Sequence, residues 1–144
     1  MIPAQRNQEG LTSSQIEYCR MAWEILTSQR QEFELVITEA GKPGSKTRFN
    51  ENRKAVLLGA NAFPGIGLDA NSRMSTLACL AHEFSHTERF TLGFRRPLDL
   101  PDILIDEAET SLHASFLPVL NPKDRKDLIE DARDRLIQWL GQKV

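Results

Sequence analysis

The sequence predicts an α+β fold, with helices at both ends and in the middle packed on a small, mainly antiparallel sheet. Three observations predict it. Apolar residues recur at three-four spacing from Thr12 onward, through Met74–His86, over Asp102–His113 and again over Pro122–Leu140. Short alternating or β-branched apolar runs between residues 33 and 60 read as strands. The length of 144 residues leaves room for one core of ordinary size and no second domain. The chain is accordingly read as one domain over 1–144, with 1–11 as a flexible lead-in.

The first helix starts at Thr12-Ser13-Ser14-Gln15, the pattern of a capping box, and carries Ile16, Cys19, Trp23 and Leu26 on one face. Residues 33–38 alternate like a strand while also continuing the helical rhythm, and are read as a strand. Gly41-Lys42-Pro43-Gly44 then turns the chain into a second strand over 46–49. Ala55-Val56-Leu57-Leu58-Gly59-Ala60 is a further strand. Residues 63–69 form a loop with neither the spacing nor the lysine of a phosphate-binding loop. The run 74–81 is apolar, rich in helix formers and free of Gly and Pro. In the following helix, over 102–113, Asp99 is the expected N-cap, Pro101 lies in the first turn and Pro118 ends the helix. A last amphipathic helix starts at Asn121 and Pro122, carries Leu128, Ala132, Leu136, Trp139 and Leu140, and is expected to end at Gly141 with its charged face in solvent.

An apolar content of 40% and a charged content of 26% describe a folded globular chain. A net charge of −2 without a basic run leaves no electrostatic footprint for nucleic acid. The first ten residues lack the apolar core of a signal peptide, and no segment approaches membrane-spanning length, so a cytoplasmic location is expected, without membrane attachment. Two cysteines, Cys19 and Cys79, are too few for a disulfide framework and read as buried thiols.

Chemistry enters with His82-Glu83-Phe84-Ser85-His86, an H-E-x-x-H pattern. Residues four apart share a helix face, so both imidazoles can reach one metal ion. The glutamate beside the first histidine can then take a proton from water activated there. Histidine is not scattered through this chain: the third and last is His113. Zinc is the first choice of ion, with iron and manganese as alternatives. Cys79 precedes His82 by three and His86 by seven, so a Cys-His-His set is the minor alternative.

A catalytic zinc has three protein ligands and keeps a fourth position open. The sequence after His86 lacks the glycine and third histidine of the metzincin pattern. The helix over 102–113 supplies Asp106, Glu107, Glu109 and His113. On a helical wheel its main apolar arc holds Leu104, Ile105, Ala108, Leu112 and Phe116, with Glu107 and Glu109 on opposite flanks. Glu107 shares its side with Ile103, Thr110, Ser111 and Ala114, mostly small residues that allow close helix approach. Glu109 shares its side with His113 and could instead make a hydrogen bond with it. Periodicity alone leaves the choice open, and the small neighbours of Glu107 tilt it toward that residue.

Ala81 ahead of the motif, Glu107-Ala108 after it and Pro118 eleven residues beyond Glu107 together resemble the ImmA/IrrE group of small gluzincin-type metallopeptidases. The likeness covers roughly the middle third of the chain; Glu109 stands where the group usually has Asn, and Ser111 where it has an aromatic. What the resemblance implies is a zincin-like fold and Zn2+ held by His82, His86 and Glu107. It also implies Glu83 as general base and hydrolysis of a peptide bond, in a peptide or a regulatory protein. Such folds bind an extended peptide along an edge strand just before the motif helix, here 55–60. Tyr18, His113, Arg95 and Arg96 are the candidates for stabilising the oxyanion. A function of another class also fits: a non-catalytic metal-binding or interaction protein, such as a toxin–antitoxin or phage-related factor, whose site is structural or vestigial.

Overall fold

The computed structural model describes residues 5–28 and 32–143. Helix α1, Ser13–Thr27, begins at the expected capping box: Gln15 N donates to Thr12 Oγ1 and Thr12 N to Gln15 Oε1, at 3.2 and 2.8 Å. Three short strands follow, β1 (Glu34–Val36), β2 (Arg48–Asn50) and β3 (Ala55–Leu57). They lie in the order β1-β3-β2, with β1 parallel and β2 antiparallel to β3. The sheet is thus mixed rather than mainly antiparallel. The predicted edge at 55–60 is also corrected, because β3 is the central strand. All three of its residues are buried, and an unbroken apolar run needs cover on both faces. In β2 the buried Phe49 is flanked by exposed Arg48 and half-buried Asn50, which suits an edge.

The loop expected over 63–69 follows, flanked by a 3-10 turn, Ala60–Ala62, and a short helix α2, Ala70–Arg73. Helix α3, Thr76–Thr91, contains the motif and is capped by Ser75, whose Oγ accepts from Ala78 N at 3.1 Å. Helix α4 spans Asp102–Ser115. Asp99 does not cap it through its side chain; Pro101 takes the N-cap position, and Asp99 offers only its carbonyl, to Ile103 N at 3.1 Å. Helix α5, Pro122–Lys143, is capped by Asn121 and runs past Gly141, whose cost of about 1 kcal/mol is bearable in a helix's last turn.

Two apolar clusters share α3. One joins α1 and the sheet through Cys19, Trp23, Phe49, Val56, Leu80 and Phe84; the other joins α4 and α5 through Met74, Ala78, Ala81, Ala114 and Leu128. Two faces depart from the wheel. On α4, Leu112 and Phe116 are exposed, while Glu107, Thr110, Ser111 and Ser115 are buried. On α5, Leu128 and Ala132 are buried as expected, but Leu136 and Leu140 are exposed and Asp124, Asp127 and Asp131 face inward. Close helix contact favours small residues, and each inward carboxylate has a partner: Ser75 for Asp124, Arg73 and Lys123 for Asp127, Ser111 and Arg135 for Asp131.

The lead-in is likewise packed rather than loose from Gln5 on; residues 1–4 of the expected flexible segment lie outside the described residues. Arg6 is buried and donates to four main-chain carbonyls, of Asn61, Ala62, Asn71 and Met74, at 2.6 to 2.9 Å. Among the described residues, no helix is long and apolar enough to cross a membrane.

Candidate metal centre

Helix geometry brings His82 and His86 to one face of α3, with ring centroids 4.8 Å apart and ring planes nearly perpendicular. Phe49 of β2 lies nearly parallel to the His86 ring and walls it on one side. From α4, Glu107 reaches between the two rings: His82 Nε2 is 3.0 Å from its Oε2, and His86 Nε2 is 3.0 Å from its Oε1. All three residues are buried.

The hydrogen bonds behind the rings fix which nitrogen carries the proton. Ser111 Oγ donates to Asp131 Oδ2 at 2.6 Å, so its remaining role toward His82 Nδ1, 2.8 Å away, is acceptor. Thr110 Oγ1 donates to the Asp106 carbonyl at 2.7 Å and faces His86 Nδ1 at 3.4 Å. In its neutral form each ring thus holds its proton on Nδ1 and turns the lone pair of Nε2 toward the Glu107 carboxylate. Three acceptors converge with nothing between them to donate.

This donor set fits a divalent cation. Bonds of about 2.0–2.2 Å in a tetrahedron put ligand atoms roughly 3.3 Å apart, near the separations found here. The ligand atoms of His82, His86 and Glu107 all lie within 4.8 Å of one another. Glu107 Oε1 is buried without a hydrogen bond: Arg96 Nη2 at 2.8 Å and His86 Nε2 are close but not aligned for one. Burial works to raise the Glu107 carboxyl; when the rings carry a second proton, hydrogen bonds and charge from His82 and His86 outweigh it and hold the group well below the usual carboxylate range.

Glu83 borders a cavity of about 220 Å³ shared with His82 and Glu107. Burial pushes its carboxyl up to about 7, opposed by His86, Arg96 and Arg135 and assisted by the Glu107 carboxylate. Its Oε2 is buried and has no hydrogen-bond partner.

The other candidates sit elsewhere. Glu109 is half exposed and pairs with Arg89 at 3.5 Å, and His113 bonds to Glu88 at 3.0 Å rather than to Glu109. Asp106 stands behind His86 and pairs with Arg89 at 3.1 Å. Cys79 lines the cavity but is outside the ligand group. Both cysteines are free thiols; Cys19 is pushed up to about 12, first by burial and then by Cys79. Tyr18 is exposed against Phe63, and Arg95 lies over the Phe90 ring, so of the oxyanion candidates only Arg96 touches the centre.

Ser111, Asp131 and Arg135 were not singled out as supports from the sequence. Arg135 bonds Asp131 at 2.8 Å and approaches Glu107 Oε2 at 3.5 Å. The only trace of them is the i, i+4 spacing of Asp131 and Arg135, which on a charged helix reads as surface. The sequence model of no protein family, no curated protein and no solved structure matches this chain.

Proposed function

We propose that the protein is a zinc-dependent peptidase with His82, His86 and Glu107 as ligands and Glu83 as general base. The observation that carries this reading is the convergence of two imidazole lone pairs and a carboxylate on one point, with the ring protons committed to Thr110 and Ser111 behind them. When bound, zinc supplies a Lewis acid for the scissile carbonyl and makes the attacking water more acidic. Glu83 takes the proton of that water and passes it to the leaving amine; a carboxyl near 7 can do both at neutral pH. The outer edge of β2 supplies main-chain hydrogen bonds for an extended peptide, in the role the resembled family would give to an edge strand. The substrate is then a peptide or an extended protein segment, with a regulatory protein as the first candidate. The free thiols accord with a cytoplasmic setting.

The test is zinc content by atomic emission, followed by digestion of a mixed peptide library with wild type and Glu83→Gln. One zinc per chain in both proteins is expected, with hydrolysis falling by about 100-fold or more in the variant. Zinc without hydrolysis by wild type supports the non-catalytic metal-binding reading instead, and absence of zinc ends both.

A further inference from the structure

The cavity beside Glu83 has a composition that the proposed chemistry leaves unexplained. Its wall includes four arginines, Arg6, Arg48, Arg96 and Arg135, against three carboxylates, and a divalent ion at the centre would tip it further positive. These arginines are not equivalent. Arg6 is committed to four carbonyls, and Arg135 to Asp131 and Glu107. Arg96 touches Glu107 through Nη2 alone, and its Nε is buried without a hydrogen-bond partner. Arg48, on the edge strand, makes among the described residues a single 3.3 Å bond to the Lys46 carbonyl.

Two guanidiniums with donors to spare therefore flank a small cavity at the end of the metal centre. A guanidinium presents paired N–H groups that match the two oxygens of a carboxylate, and a buried unpaired N–H is a donor awaiting an acceptor. We propose that this cavity is the subsite for a carboxylate of the peptide substrate, held by Arg48 and Arg96 next to the scissile bond. The proposal rests on the peptidase reading and adds a substrate class to it: peptides with a negative charge within about one residue of the cut. Such a charge comes either from the chain's own C-terminus or from an acidic side chain. At about 220 Å³ the cavity has room for the end of one residue and little more.

The test is calorimetric titration of zinc-loaded Glu83→Gln protein, which binds without cutting. Two peptide pairs are compared: acetyl-Ala-Ala-Ala as free acid against its amide, and acetyl-Ala-Glu-Ala-amide against acetyl-Ala-Gln-Ala-amide. At least a tenfold preference for the charged member of one pair is expected, and the responding pair names the source of the carboxylate. Arg48→Gln should cut that preference below threefold with zinc still at one per chain. Arg96→Lys, which keeps the charge but loses the fork, should weaken it in the same direction. Equal affinities within both pairs, or no binding of any peptide by zinc-loaded protein, overturn the proposal while leaving the peptidase reading to its own hydrolysis test. Failure to hold zinc overturns both.

Discussion

Glu83 concentrates the conflict between stability and chemistry in one side chain. Its carboxyl ionises near 7 in the folded protein, against an ordinary value of 4.5. As pH rises through that window the unfolded chain gives up its proton first, so the folded state loses stability between about 4.5 and 7 and recovers none of it above. For metal-free protein, Glu83→Gln should remove this slope and leave the variant more stable at pH 8 by on the order of 2 kcal/mol, with little difference at pH 4.5. Urea unfolding at both pH values with a chelator present measures it; parallel profiles for the two proteins would contradict the buried, uncompensated carboxylate. At this scale the convergence of His82 and His86 is legible in the sequence because it depends only on helical spacing. Arg48 and Arg135 are not, since a solvated arginine and one aimed into a cavity look alike until strands and helices are placed.

At the scale of elements, α3 was readable and the facing of α4 only in part: the small residues beside Glu107 pointed to close approach, while its apolar arc pointed elsewhere. Ser75 and an unbroken run of helix formers define α3 locally. The wheel of α4 misleads because it ranks residues by apolarity, whereas Thr110, Ser111 and Ala114 are buried for being small, and the first two also for having hydroxyls to spend on the histidines. The sheet order was hidden for a related reason: strand patterns give no pairing partners, and only the fully apolar run of β3 hinted at a central place. The α4–α5 pairing makes a measurable claim. Ser111→Ala deletes the link between His82 and Asp131, and zinc affinity should fall by about 10- to 100-fold in competition with a chromogenic chelator. Unchanged affinity would mean that the link does not orient the ring.

For the whole molecule, the composition and length indicated one core, yet the structure divides its apolar residues into two clusters with α3 between them. The N-terminal segment belongs to this arrangement through Arg6, which ties the turn at Ala60–Ala62 to the residues just ahead of α3. Arg6→Met would strand four carbonyl acceptors and should destabilise the fold by about 3 kcal/mol or more, read as a drop in thermal midpoint. A shift of under 1 kcal/mol would show that water replaces the guanidinium without loss. No length or composition argument could have placed this residue, because its partners lie 55 to 68 positions away.

The position of α3 between the two clusters also governs how the protein breathes. A helix packed on one side can lift away locally while the rest stays folded; a helix shared by two cores has to abandon one of them to move at all. Amide exchange is accordingly expected to be slowest around the two histidines and faster in the connection over 92–100, where Leu92, Phe94, Leu98 and Leu100 are exposed. Both histidine positions on α3 are then held by two clusters instead of one.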